Sequence, residues 1–174
     1  MPKVLDHPKE KILAAAREIL LREGYNALTV RNIAAKVPVA AGTVYNYFPS
    51  KDHLCASVML EDWQRIMREM QNRLKGTDGK QGIRIIYETV KAYAEFFEPV
   101  FGQYHGAAVT RSSYHDMLVN EIDSYIREVL PDDRDPFLPV FLSETILRFA
   151  AGLKTPYEKL ENIIAELIQE EVSS

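Results

Sequence analysis

Apolar residues recur at helical spacing along most of the chain. Between Pro8 and Glu23 they form one stripe, with proline suited to a first helical turn and Gly24 suited to a stop. A capping box at Thr155 to Glu158 predicts the start of the last helix. With no strand pattern, the sequence predicts an all-α fold, with further helices over residues 51–74, 81–97, 113–130, 136–151 and from 155 onward.

The segment from Leu28 to Leu54 predicts two short helices joined by a tight turn. Thr29 can cap the first helix, and Pro38 ends it because its ring cannot continue the backbone ladder. The second helix spans about 40–47, and Ser50 caps a third that begins at Lys51. Helices this short bury little surface of their own. They are typical of a module that presents its second helix to a DNA major groove.

The residues of this segment carry a family resemblance. Gly42-Thr43-Val44-Tyr45, Tyr47-Phe48, Ser50-Lys51 and Leu54 resemble the DNA-binding signature of the tetracycline-repressor (TetR) family, and the preceding ILAAAREILLREGYNALTV is also similar. The match covers about residues 10–55. It implies an N-terminal three-helix helix-turn-helix DNA-binding domain over 1–50, and a C-terminal helical effector-binding and dimerisation domain over 51–174.

The resemblance also implies residue roles. Ala41, Thr43 and Tyr45 face the DNA, and Gly42 allows close approach because it has no side chain. Arg31 matches a base-contacting or backbone-contacting position, whereas Thr29, Tyr47 and Lys51 suit phosphates. Phe48 is expected to pack in the core. The predicted DNA-binding residues are Thr29, Arg31, Ala41, Gly42, Thr43, Tyr45, Asn46, Tyr47 and Lys51.

Two positions depart from the family pattern. The turn usually holds glycine where this chain has Pro38, so the turn must differ locally and Val37 must leave helical angles. Ala40 stands where serine or threonine usually caps the recognition helix. These departures leave an alternative open, in which the chain is a helical ligand-binding protein with weak or lost DNA binding.

The middle of the chain is rich in aromatic residues. In the family this region houses an effector pocket, and apolar walls with a few polar anchors suit a small molecule. A plain helical core is the alternative. The predicted ligand-binding residues are Trp63, Tyr87, Tyr93, Phe97, Phe101, Tyr104, His105 and Tyr114. His105 and His115 lack the i, i+4 spacing of helical metal ligands, so no metal or cofactor is expected.

Charge and composition narrow the class of protein. The net charge is −4, yet residues 1–53 carry eight Lys and Arg against five Asp and Glu, so the basic end holds the helix-turn-helix. One cysteine, Cys55, no apolar signal region and no membrane-length apolar run predict a cytoplasmic protein. Phosphate loops, nucleophile elbows and metalloprotease motifs are missing, which favours a non-enzyme over a small enzyme using the aromatic region.

The helices near 136–152 and 155–171 are more apolar than a solvent-facing hairpin should be. Part of each stripe covers the core, and the remainder needs a partner. In the family these helices pair with their twins in a four-helix bundle. The predicted partners are therefore operator DNA, a small-molecule effector and a second copy of the chain.

Overall fold

The computed structural model describes residues 6–101, 108–131 and 135–169. These residues contain helices and turns but no strand, which confirms the all-α prediction. They form two compact units, one of residues 6–64 and 97–101 and one of the remaining described residues. The α-helices are α1 Pro8–Glu23, α2 Val30–Lys36, α3 Ala41–Tyr47, α4 Lys51–Leu74, α5 Gly79–Phe96, α6 Glu98–Phe101, α7 Ala108–Val129, α8 Phe137–Ile146 and α9 Glu161–Gln169.

In the first unit α1 packs against both α2 and α3. Its stripe is buried as predicted, and Gly24 ends it with φ 81° and ψ 177°, a conformation that favours glycine. A 3₁₀ turn, Tyr25–Ala27, leads to α2. The shared core consists of Ile12, Ala16, Ile19, Leu20, Leu28, Ile33, Val44 and Phe48.

A cap fixes the start of α4, and an ion pair near the middle of the helix ties it to α1. The Ser50 hydroxyl accepts a hydrogen bond from the His53 amide at 3.1 Å, which confirms the predicted cap. Arg17 on α1 donates from Nε to both carboxylate oxygens of Asp62 at 2.9 Å. Because Asp62 is almost fully buried, this charge-assisted contact satisfies a carboxylate that would otherwise be costly inside the unit.

In the second unit α5 packs against α7 and α9. A Cβ at Gly82 would lie 2.8 Å from side-chain carbons of Val129, so only glycine permits this approach of α5 to α7. After α8 the chain continues as a π-helical turn, Leu147–Gly152, and then a 3₁₀ turn, Tyr157–Lys159. Within the described residues, no helix is long and apolar enough to cross a lipid bilayer.

Several predicted helix bounds differ from the structure. The bounds of α1 and α4 agree, but α5 begins at Gly79 because the Asp78 carboxylate caps it through the Gln81 amide at 2.7 Å. α7 begins at Ala108, five residues before the predicted Ser113. The helix predicted over 136–151 is α-helical only to Ile146.

The predicted capping box at Thr155 to Glu158 is wrong. Pro156 is extended, with ψ 140°, and α9 begins only at Glu161. A ring contact and a hydrogen bond hold the intervening segment in a 3₁₀ turn. Tyr157 is buried against the ring of Tyr87, and the Tyr87 hydroxyl donates to the Thr155 carbonyl at 2.7 Å.

Candidate nucleic-acid interface

The turn between α2 and α3 closes tightly although it contains proline. Thr29 caps α2, because its hydroxyl accepts from the Asn32 amide at 3.1 Å. Val37 ends the helix at φ −123° and ψ 130°, which confirms that Pro38 forces it out of helical angles. The Val39 amide then donates to the Val37 carbonyl at 2.7 Å, a three-residue turn centred on Pro38.

This turn replaces the one that a glycine would make. Residues 37–40 are all described, and none of them takes a positive φ. Proline is therefore compatible with the turn, and α3 begins directly after Ala40. Ala40 occupies the N-cap position with ψ 149° and offers no side-chain hydrogen bond, as the sequence predicts.

α3 exposes nearly all of its side chains. Val44 is its one buried residue, and Thr43 is half-buried. Nothing lies within 4 Å of a Cβ built on Gly42, so the backbone there faces open space. Tyr45 is 55% exposed and Tyr47 40% exposed. The predicted DNA-facing residues of α3 that the structure leaves exposed are Ala41, Gly42, Tyr45, Asn46 and Tyr47.

The remaining predicted DNA contacts lie on neighbouring elements of the same unit. Thr29 and Arg31 are exposed at the start of α2. Lys51 is half-buried at the first position of α4. Its ammonium lies 4.0 Å from the centre of the Tyr25 ring and donates to the Asn26 carbonyl at 3.4 Å. Both contacts are weak.

Sequence reasoning missed the partners of Lys51. The Tyr25 hydroxyl donates to the Asp52 carboxylate, so one ring supports the lysine and also contacts its neighbour in sequence. Gly24, which ends α1 and turns the chain into the Tyr25–Ala27 segment, is the sequence signal that could have pointed to this turn. Phe48 is 2% exposed, which confirms its predicted place in the core.

The predicted ligand-binding aromatics are distributed over both units. Trp63 and Phe97 are buried in the first unit; Tyr87 and Tyr93 are buried in the second, where Tyr114 is half-buried. Burial raises the pKa of Tyr87 to about 12, so its hydroxyl stays protonated. The side chain of Phe101, together with Tyr104 and His105, lies outside the described residues. The effector pocket stays a prediction.

Two other groups bear on the chemistry of the chain. Cys55 is fully buried, and burial raises the pKa of its thiol to about 12, which disfavours the reactive thiolate. Among the described residues, no three histidine, cysteine or acidic side chains are grouped to hold a metal ion.

A second exposed surface lies on α8. Phe137, Val140 and Phe141 are 66%, 39% and 43% exposed, and the centres of the two phenylalanine rings are 6.3 Å apart. We call these three residues the α8 surface. On α9, Ile163 is exposed whereas the adjacent Ile164 is buried. The unit therefore leaves large apolar side chains on the surface of the two helices that the sequence assigns to dimerisation.

Taken together, the capped α2, the tight turn and the exposed α3 define a helix-turn-helix module. Residues 12–58 match the family described as bacterial regulatory proteins, tetR family. The match covers the helix-turn-helix module and the start of α4, which confirms the predicted resemblance of this part of the chain.

Relatives with known names agree with this assignment. The HTH-type transcriptional repressor KstR of Rhodococcus jostii is 40% identical over 58 residues, which are 33% of this chain and 27% of KstR. The chain thus matches about a quarter of the length of that relative.

Two solved structures share the fold over nearly the whole chain. Salmonella enterica GusR has a TM-score of 0.64 at 16% identity and covers 96% of this chain and 100% of its own. The multidrug binding protein EbrR, complexed with imidazole, has a TM-score of 0.63 at 17% identity and covers 92% and 94%. At these identities the likeness concerns the fold alone.

Proposed function

We propose that this protein is a DNA-binding transcriptional regulator, a homodimeric repressor that a small-molecule effector releases from its operator. The observation that carries the proposal is the surface of α3, where every residue except Val44 and Thr43 is exposed. Because α3 contributes so little to the core of the first unit, we expect its exposed side chains to contact an external partner. Its hydroxyl, amide and small side chains suit phosphates and base edges.

The residues proposed to contact DNA divide by role. Ala41, Thr43 and Arg31 read base edges, and Gly42 lets the backbone of α3 approach them. The remaining predicted residues contact the phosphate backbone and set the position of the module. Thr29, Tyr45 and Lys51 lie around one depression of the first unit, which supports their use on a common stretch of backbone.

The likeness to KstR, a transcriptional repressor, supports repression as the sign of regulation. We assign residues 1–50 to DNA binding and 51–174 to effector binding and dimerisation. α4 begins at Lys51 and continues into the second unit, so the chain itself offers a path for coupling. Release requires that the effector binds more tightly to the DNA-free form than to the DNA-bound form.

Dimerisation supports operator binding geometrically. Two copies related by a twofold axis would place two recognition helices in successive major grooves, about 34–36 Å apart for adjacent half-sites. The α8 surface and Ile163 supply exposed apolar side chains for such an interface. We propose that the protein acts in the cytoplasm, where operator DNA lies, and that it catalyses no reaction.

The test is DNA binding at several salt concentrations. Fluorescence anisotropy with duplexes that tile the promoter beside the gene should show one duplex bound at least about 10³-fold more tightly than scrambled DNA of the same length. The logarithm of the affinity should fall linearly with the logarithm of the salt concentration. The rival, a ligand-binding protein without DNA binding, predicts no duplex bound above the scrambled control.

A further inference from the structure

The first unit contains a pocket that is lined in part by the proposed DNA contacts. It has a volume of about 230 Å³ and opens between α2, α3 and the start of α4. We call it the α2–α4 pocket. Its floor is apolar and consists of side chains that are each no more than 3% exposed: Leu28, Ile33, Val44, Phe48 and Leu54.

The volume of this pocket suits a small organic group. An enclosed apolar cavity of about 150 Å³ inside a protein can bind benzene. The α2–α4 pocket, at about 230 Å³, is larger than this cavity and, unlike it, is partly open to solvent, so its size admits one aromatic ring or a short branched chain. It is smaller than the pockets of about 300–1,000 Å³ that hold drug-sized ligands.

The polar groups around the pocket select the charge of the occupant. Lys51 lines it, and none of the lining residues is acidic. Thr29 and Ser50 also line it, and the hydroxyl of each already accepts a hydrogen bond from a backbone amide, that of Asn32 and His53 respectively. Each hydroxyl keeps its own hydrogen to donate. One lysine and two hydroxyl-bearing residues therefore line the pocket together with its apolar floor.

We propose that the α2–α4 pocket binds a small carboxylate with an apolar body, such as an arylacetate. The body lies on the apolar floor, and the carboxylate accepts hydrogen bonds from Lys51 and from the hydroxyls of Thr29 and Ser50. Lys51 gives up only its weak contacts with the Tyr25 ring and the Asn26 carbonyl to reach it. A charge-assisted hydrogen bond is the stronger interaction.

Occupation of the pocket has a direct consequence for DNA. Thr29, Tyr45 and Lys51 line the pocket and are also proposed DNA contacts. A bound carboxylate would neutralise the lysine and place a negative charge where a phosphate should lie, so carboxylate and DNA compete. This part of the inference rests on the proposed function, whereas carboxylate binding itself does not.

The first experiment therefore omits DNA. The ¹⁵N-labelled full-length protein is titrated with phenylacetate, and amide chemical shifts are followed. We expect saturable shifts confined to residues that line the pocket, with a Kd of about 1 mM for a ligand of this size. Acetate, which lacks the apolar body, and toluene, which lacks the charge, should each bind more weakly.

Two lysine variants sharpen the test. Lys51→Met removes the charge and keeps an apolar stem, and should weaken phenylacetate binding about tenfold. Lys11→Met is the matched control, because Lys11 is exposed on α1 and lies outside the pocket lining, and it should leave the Kd unchanged. Equal affinity for acetate, no effect of Lys51→Met, or shifts confined to the second unit would each overturn the proposal.

The second experiment addresses competition. Phenylacetate should raise the apparent Kd for DNA in proportion to its occupancy of the pocket, and less so in Lys51→Met. Carboxylate binding that leaves the affinity for DNA unchanged would contradict the competition. If no duplex binds at all, the proposed function fails while the titration without DNA still decides the pocket.

Discussion

α3 and α8 are both helices that leave much of their surface to solvent, yet they expose different chemistry. α3 buries Val44 and presents a glycine, an alanine, an asparagine and two tyrosines. α8 buries five of its ten residues, among them Leu138, Leu142 and Ile146, and exposes Glu144 together with the two phenylalanines and the valine of the α8 surface. The exposed face of α3 is mostly polar or small, whereas that of α8 is mostly apolar and aromatic.

The difference indicates two kinds of partner. Phosphates and base edges are bound by hydroxyls, amides and closely approaching backbone, all of which α3 offers. The buried centre of a protein interface is enriched in aromatic residues and poor in charge, as the α8 surface is. Both helices bury some side chains and expose others, so exposure alone does not distinguish the two partners. The composition of the exposed face supports the partner proposed for each helix.

The largest expected effect follows from a charge placed on the α8 surface. Phe141→Glu would put an unpaired carboxylate into the proposed dimer interface, which should cost several kcal/mol of association free energy. We expect a monomer of about 20 kDa by light scattering, unchanged helical circular dichroism, and loss of operator binding although no DNA-facing residue has changed. A wild-type protein that is itself monomeric at micromolar concentration would contradict the dimer.

Ile164→Glu is the matched contrast to this variant. The sequence cannot tell which of Phe141 and Ile164 faces the core, but the structure leaves Phe141 43% exposed and Ile164 2% exposed. A carboxylate at Ile164 should therefore destabilise the fold itself, with loss of the helical signal. If both variants stay folded and monomeric, Ile164 does not contribute to the core as described.

Removal of the Lys51 charge tests the proposed DNA-binding surface, to which α3 also belongs. Lys51→Ala should weaken binding to specific and scrambled DNA about equally and reduce the salt slope by about 1, because one phosphate contact is lost. Thr43→Ala should instead change which base is preferred. An unchanged affinity and salt slope for Lys51→Ala would show that the start of α4 does not contact the backbone.

Gly42→Ala is expected to change stability and DNA binding in opposite directions. Since nothing lies within 4 Å of the added Cβ, alanine should raise the free energy of unfolding by about 0.5–1 kcal/mol through its better helix propensity. The same methyl group would stand between α3 and the bases and should weaken operator binding. A variant that is both stabilised and fully active in binding would show that α3 does not approach DNA at Gly42.

The parts of the fold predicted correctly have local causes. Pro8 and Gly24 bracket α1, and the Ser50 hydroxyl starts α4, so both helices follow from residues within a few positions of their ends. The start of α9 has a distant cause, since Tyr157 is buried against Tyr87, seventy positions away, and the turn adapts to that contact. The helix-capping preferences of Thr155 and Pro156 give no indication of this distant contact.

The candidate site divides in the same way. The exposure of α3 and the cap at Thr29 follow from the local pattern and from the family resemblance. The contact of Lys51 with Tyr25, and the pocket beside it, depend on how α4 packs against the turn after α1. The spacing of residues in the sequence predicts neither the contact nor the pocket, because the tertiary fold brings the residues involved together.

The smallest expected effect concerns the cap of α3. Ala40 already has the extended backbone of an N-cap residue, and the Thr29 side chain shows what such a position gains, since it accepts from the Asn32 amide three residues on. In Ala40→Ser the new hydroxyl can accept from the Gly42 or Thr43 amide, which should raise the free energy of unfolding by about 0.5–1 kcal/mol. Thr29→Ala removes the corresponding cap of α2 and should lower the free energy of unfolding by about 1 kcal/mol; urea titration measures both changes.

Ala40→Ser should also tighten DNA binding, because the hydroxyl adds a phosphate donor beside α3. A decrease in stability for Ala40→Ser would place Ala40 within the helix, and would mean that the turn around Pro38 differs from the one described.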